Sequence, residues 1–407
     1  MVGIKNSNTL TVGLIGYGSK DWIAGVNYIS SLMYANSLQS QTQQQTFHLF
    51  LHEHLSDETD YEDISQHTKS VELFDFSYGT TFSLLNRLRH FLRETWLQRK
   101  FPHSIKNNLP KLLQNTKCQI VFPANQILSN SPSSVKTISW IPDFQYKYFP
   151  EYFPNPARIN YKIKRILRLS DLVIVSNECS KKDVQKYFPE FIHKIRLMPF
   201  TMWLGSEWKA QDYESVIQKY NLPRKYLIFP SQFWVHKNHL CLFDAIATVK
   251  QRGHTNISLV CTGYPHDNRN PSYSQDLASY IECHGLQESI HILGFLPRYD
   301  QIQLIRGSAA VVQPSLFEGY SAIIDEAQSL GKEIFVSDIP MHREMQVEKT
   351  IFFDPYYPGD LAEKLESGWP NLNPGPDFYA ESLSLRNYNK RMRAFGKRFR
   401  EICYSVI

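Results

Sequence analysis

The chain has 407 residues, and at about 150 residues per domain that length anticipates two or perhaps three domains. Forty-four Lys+Arg against thirty-nine Asp+Glu leave a net charge of +5, too thin an excess for the dense basic stripe of a nucleic-acid-binding surface. A hydrophobic share of 42% with 14% aromatics excludes global disorder.

In the first half, Thr11 to Ile15 reads as a strand, Trp22 to Tyr34 as a helix, and Phe47 to Leu51, Gln119 to Phe122, Thr137 to Ile141 and Leu172 to Val175 as further strands. Gly13-Leu14-Ile15-Gly16-Tyr17-Gly18 invites a dinucleotide-binding reading. Asp21 stands where the third glycine of that fingerprint belongs, and no acidic residue fit to hold a ribose ends the next strand, so the segment reads as a tight β-α turn. Gln39, Gln41, Gln43, Gln44 and Gln45 read as a solvated loop. His52-Glu53-His54 lacks a third metal ligand and reads as a polar strand end. Two basic stretches, Arg87 to Lys111 and Arg158 to Arg168, read first as solvated helix faces and second as faces that touch anionic lipid. Thr201 to Arg224 is the expected linker.

The second half is better punctuated. Strands are expected at Tyr226–Phe229, Ile257–Cys261, Ile290–Leu293, Ala309–Val312, Glu333–Ser337 and Ile351–Phe353. Helices fall between them: one opened by Asn238 as N-cap and stopped by Gly253, then Tyr273–His284, Tyr299–Arg306, Gly319–Leu330 and His342–Val347. This alternation makes a Rossmann-like parallel sheet. Cys118, Cys179, Cys241, Cys261, Cys283 and Cys403 contain no C-x-x-C pair and read as buried thiols of a reducing compartment. The start of the chain has no apolar signal region, and no stretch nears the ~18 apolar residues of a spanning helix, so a cytoplasmic protein is expected.

Chemistry concentrates between Val312 and Glu326. Glu318 and Glu326 lie eight apart around a strand-to-helix turn, and Gly319 lets a ligand approach the helix N-terminus, where free N–H groups favour phosphate. Glu318 could meet sugar hydroxyls and Glu326 ribose hydroxyls; two ordinary exposed helix glutamates are the plainer alternative. No D-x-D occurs, the nearest sequence being Asp60-Tyr61-Glu62, and there is no G-x-S-x-G nucleophile elbow.

With Pro314-Ser315 before it and Ala327, Leu330 and Gly331 after it, the segment resembles the E-x7-E motif of retaining glycosyltransferases of family 4 (glycosyl transferase group 1). Ser231 to His239, Leu293-Gly294-Phe295 and Ser337 to Glu344 resemble that family's other loops, in the family's order. Trp22 to Tyr28, Trp140 to Gln145 and Leu169 to Ser176 resemble it more loosely. The resemblance implies an α/β GT-B fold, two Rossmann-like domains facing a central cleft. Residues 1–200 would form the acceptor-side domain, 201–224 the linker, 225–380 the nucleotide-sugar-binding domain and 381–407 a helix crossing back.

It further implies a retaining enzyme that moves a sugar from a UDP- or GDP-sugar to a glycan or lipid-linked acceptor, as in surface polysaccharide synthesis. Glu318, Lys237 and Asp143 would be catalytic, with Glu326, Gly319, Tyr320, Ser321, Gly25 and Phe295 binding the donor. No metal and no cofactor beyond the donor are expected, no nucleic-acid partner, and a peripheral contact at the inner face of a membrane would suit a lipid-linked acceptor. Three positions depart from the common pattern: Ser231 replaces an arginine, Pro142 a histidine and Ser321 a glycine. Arg298 and Arg343 are candidates for the missing cation. The alternatives are a non-catalytic nucleotide-sugar-binding protein, or an epimerase or phosphorylase of the same fold.

Overall fold

A computed structural model describes residues 9–18, 23–52, 64–74, 109–128, 131–206, 208–209, 213–253, 256–267 and 269–407. Trp22, Glu53, His54, the Asp60-Tyr61-Glu62 sequence and the basic stretch over 87–106 lie outside these residues.

Two parallel sheets carry the chain. The first has seven strands, β1 (Thr11–Ile15), β2 (Thr46–His52), β3 (Ser70–Phe74), β4 (Ile120–Phe122), β5 (Lys136–Trp140), β6 (Leu172–Val175) and β7 (Ile195–Leu197), in the order 3-2-1-4-5-6-7. The second has six, β8 (Leu227–Pro230), β9 (Leu259–Thr262), β10 (Ile290–Gly294), β11 (Ala310–Gln313), β12 (Ile334–Ser337) and β13 (Thr350–Phe353), in the order 10-9-8-11-12-13. Each sheet reverses its strand order beside its own first strand, the place where open α/β sheets leave a crevice for ligands. Central strands such as β4 and β8 are buried along their whole length, as strands covered on both faces must be.

Twelve helices among the described residues are named in chain order: α1 (Ile23–Ser37), α2 (Leu109–Asn115), α3 (Pro156–Leu169), α4 (Glu178–Tyr187), α5 (Tyr213–Lys219), α6 (His239–Gln251), α7 (Tyr273–Cys283), α8 (Arg298–Gly307), α9 (Ala322–Ser329), α10 (Pro340–Met345), α11 (Pro358–Gly368) and α12 (Phe378–Tyr404). The 27-residue α12 packs on α1 of the first sheet's domain and on α9 of the second. Its buried Tyr388, Met392, Phe395 and Phe399 join the core that also holds Tyr28, Phe122 and Trp140. None of the described helices is long and apolar enough to cross a membrane.

Several expectations need correction. Strands β3 and β7 were not legible, because both are edges: β3 carries Glu72 and is mostly half-buried, and β7 centres on Arg196. The expected linker contains α5, which packs on α8. Asn238 precedes α6 but does not cap it; it adopts left-handed φ 61° and its side-chain amide donates instead to the carbonyls of Pro314 and Pro355. The glutamine-rich turn is partly inside: Gln45 is buried and exchanges two hydrogen bonds with Asn36, both 2.9 Å, and Gln39 donates to Arg393 O on α12. Of the cysteines, Cys283 is exposed and Cys179 half-buried. On α3, Ile163 and Leu167 are buried while Arg158, Lys162, Lys164 and Arg168 face solvent.

Candidate active site

The C-terminal ends of the two sheets meet around a cavity of about 200 Å³. The first domain contributes Ile23 and Ala24 at the start of α1 and the loop after β5, with Pro142, Asp143 and Gln145. The second contributes the loop after β8, with Trp234, His236 and Lys237, and the segment from Gln313 at the end of β11 through Glu318, Gly319, Tyr320 and Ser321 to α9. Loops at strand ends, held by buried strands, are where a rigid scaffold presents chemistry.

Lys237 Nζ donates to Glu318 at 2.7 Å (Oε1) and 2.9 Å (Oε2), and Gln313 Nε2 donates to the same Oε1 at 2.6 Å. The two segments are stitched by Leu316 N–H to His236 O, 2.8 Å, and the second is tied to the end of β12 by Ser337 Oγ to Ser315 O, 2.6 Å. Asp143 stands opposite, its Oδ1 accepting from Gln145 N–H at 2.9 Å. Burial pushes the Asp143 carboxyl above the ordinary aspartate range and Glu318 adds to that, while the Gln145 N–H, Lys237 and Arg269 pull the other way. His236 is held well below the usual histidine range, first by burial and then by Lys237, Arg269 and His239, so its imidazole is neutral at pH 7.

Four buried polar atoms on the cavity wall lack a hydrogen-bond partner: Gln145 Nε2, His236 Nδ1, Gln313 Oε1 and Ser321 Oγ. These four atoms leave the cavity with donors and acceptors that a polar ligand can use.

Lys237, Glu318, Asp143, Gly319, Tyr320 and Ser321 all line this cavity. Three residues sit elsewhere. Glu326, expected to face a ribose, is 2% exposed and pairs with Arg298 Nη1 at 2.5 Å behind the cavity wall. Gly25 is buried within α1 just past the lining residues, and Phe295 is 52% exposed away from them. Helix α9 begins at Ala322, so Glu318 and Gly319 precede it by a turn and do not sit at its mouth. Gly319 serves a different close approach: a Cβ there would lie 2.5 Å from Asp143 Cβ and 2.6 Å from Pro142 O. Tyr320 packs on Phe200, ring centroids 3.9 Å apart, and its hydroxyl donates to Phe200 O.

Neither arginine candidate joins the cavity. Arg298 is engaged by Glu326 and Trp203 O, and Arg343 by Asp338 while lying over Phe352. Sequence reasoning missed Gln313, whose contact with Glu318 depends on how the five-residue turn after β11 folds back, and Arg269, which lies over Trp234 at 4.8 Å in a loop with no motif. Among the described residues no group of three His, Cys, Asp or Glu could hold a metal ion.

Residues 212–368 match the model of the family Glycosyl transferases group 1. The chain resembles that family. Its fold is GT-B, shared across nearly the whole length with solved structures at low identity. HepE of Anabaena in complex with UDP and glucose is 15% identical with a TM-score of 0.67, covering 98% of this chain and 100% of that one. Sucrose-phosphate synthase of Thermosynechococcus elongatus is 14% identical with a TM-score of 0.63, covering 97% of each chain. A glycosyltransferase of Rickettsia africae is 14% identical with a TM-score of 0.63, covering 98% of each. No curated protein matches the sequence. In GT-B terms the first sheet's domain and the second's are the two Rossmann-like halves, and the cavity is the cleft between them.

Proposed function

We propose that the protein is a nucleotide-sugar-dependent glycosyltransferase that retains the anomeric configuration and delivers a hexose to a glycan or lipid-linked acceptor, as surface polysaccharide synthesis requires. The observation that carries the reading is the buried Lys237–Glu318 pair facing Asp143 across a cavity with four unpartnered polar atoms. Support also comes from the family match over 212–368 and from the solved relative that holds UDP and glucose.

In the reaction the bond from the anomeric carbon to the donor's diphosphate breaks, and the acceptor oxygen bonds to the same face. The acceptor's proton passes to the departing diphosphate. Lys237 offsets the charge that builds on that leaving group, a term that fixed donors in a closed site supply best. Glu318, oriented by Lys237 and Gln313, accepts from sugar hydroxyls, and Asp143 positions the acceptor from the facing domain. The reaction is metal-independent in this reading, so excess EDTA leaves turnover unchanged.

The deciding experiment is thermal stabilisation of the purified chain by UDP-, GDP-, ADP- and dTDP-sugars and their free diphosphates, repeated on Lys237→Ala and Glu326→Ala. A ligand that binds only the folded state raises Tm by mass action. One base family should raise Tm, and Lys237→Ala should weaken that shift. No shift with any nucleotide rejects the reading.

A further inference from the structure

We infer that a second cavity, next to the first, is a subsite for a neutral sugar ring of an extended acceptor; this deepens the transferase reading and rests on it. The cavity, about 250 Å³, is lined by Glu151, Tyr152, Val235, Asp267, Arg269 and Asn270. It lies between the loop after β5, from the first domain, and the loops after β8 and β9, from the second. Trp234 and His236 line the central cavity and their chain neighbour Val235 lines this one, so a single short turn separates the two.

Three features match a sugar. First, one wall is aromatic: Tyr152 lines the cavity and stacks on Phe149 with centroids 5.3 Å apart and planes 2° from parallel, while the guanidinium carbon of the lining Arg269 lies 4.8 Å from the Trp234 ring centroid and 5.5 Å from that of Phe153. Phe149 in turn meets Phe317 of the central cavity at 6.5 Å, which makes the aromatic wall continuous between the sites. Aromatic faces present an apolar, slightly negative surface that suits the C–H face of a pyranose.

Second, the polar groups are flat and two-pronged: the carboxylate of Glu151, the amide of Asn270 and the guanidinium of Arg269. Such groups match adjacent hydroxyls, each of which donates and accepts. Arg269 spends Nε and Nη2 on Asp267, at 2.9 and 3.2 Å, and keeps Nη1 as a donor. Third, the charge excludes an anion. Arg269 is neutralised by Asp267, which is 4% exposed, and Glu151 has no ion pair among the described residues. A phosphate or a uronic acid would meet a net negative site, whereas a neutral hexose meets no such penalty. The volume suits one ring, so the acceptor is at least a disaccharide whose terminal sugar enters the central cavity.

The probe is saturation-transfer NMR on the full chain with maltotriose, cellotriose and chitotriose, each with and without the nucleotide identified by thermal shift. At least one trisaccharide should receive saturation on a single ring, and Tyr152→Ala and Asn270→Ala should each weaken its binding about fivefold, the scale of losing one stacking or polar contact. Both variants should keep the wild-type nucleotide shift in Tm, which shows that they fold. Glucose 6-phosphate should not compete.

If wild-type protein binds nucleotide but none of the trisaccharides, or if both variants bind as well as wild type, the subsite is wrong and the transferase reading stands. A trisaccharide bound in a Tyr152-dependent way with no nucleotide binding would uphold the sugar site and reject the transferase reading.

Discussion

Lys237 Nζ sits 2.7 and 2.9 Å from the two carboxylate oxygens of Glu318, with side chains only 14% and 7% exposed. Each charge is tolerable there only because of the other. Removing one partner of such a pair leaves a buried charge and costs about 3–5 kcal/mol, whereas replacing both by neutral groups of similar volume is far milder. Lys237→Ala should therefore lower Tm, and Lys237→Met with Glu318→Gln should recover most of the loss. Both variants should lose about 10²–10³ in kcat, the cost of removing a fixed group that faces developing charge. Tm and donor turnover on the single and double variants check this; a double variant no more stable than Lys237→Ala would sink the account.

Gly319 is where the second domain touches the loop of Asp143. A methyl group there would meet Asp143 Cβ at 2.5 Å and Pro142 O at 2.6 Å, too close for either to remain in place. The side-chain amide of Asn177 donates to Gly319 O and fixes the same contact. Gly319→Ala should leave each domain folded, hold the cleft wider and cut turnover more than donor binding. Small-angle scattering with saturating donor should give a larger radius for the variant than for wild type; equal radii with full activity would show that the contact is dispensable.

The second domain was readable because its strands are short apolar runs separated by helices that glycines stop: five of six strand positions agree within one residue, and β9 starts two residues late, at Leu259. Lys237 and Glu318 were each legible from their own motifs, but the ion pair between them was not, because it joins loops 81 residues apart. What could not be read depends on three-dimensional company. Glu326 has the right spacing, yet Arg298, at the start of α8, claims it. Gln313 gains its role from a carboxylate five residues on, and Arg269 from an indole 35 residues back in the chain. Edge strands β3 and β7 carry charge because one side meets solvent, and that removes the apolar signal a strand needs to be seen.

Glu344 reaches from α10 to the first domain. Its carboxylate accepts from the N–H groups of Glu178 (2.6 Å) and Cys179 (3.0 Å), the first residues of α4, where free N–H groups and the helix dipole favour negative charge. A contact of this kind is worth about 0.5–2 kcal/mol. Because it spans the cleft, it should bias the closed state more than it stabilises either domain. Glu344→Gln should raise the donor KM a few fold with little change in Tm. A large fall in Tm with unchanged KM would mean instead that the contact is structural.

Asp325 gives a pH dependence with a defined sign. Its carboxylate accepts from Met202 N–H at 2.7 Å, where the chain crosses between domains, and from Arg391 of α12 at 3.3 Å. Burial, with neighbouring Glu326, lifts the carboxyl from 3.8 to about 6 despite the opposing pull of Arg391 and the Met202 N–H. The unfolded chain thus releases this proton near pH 4 and the folded protein near pH 6. The proton's contribution to stability is complete below pH 4 and is lost as pH rises to 6, in total on the order of 3 kcal/mol. Asp325→Asn removes the titration and exchanges the Arg391 ion pair for a weaker contact, an offset that does not vary over this range. Urea unfolding of both proteins at pH 4, 5, 6 and 7 should show the variant gaining on wild type up to pH 6 and no further. A constant difference across the four pH values would show that Asp325 titrates as an ordinary aspartate and that Arg391 and Met202 fully offset its burial.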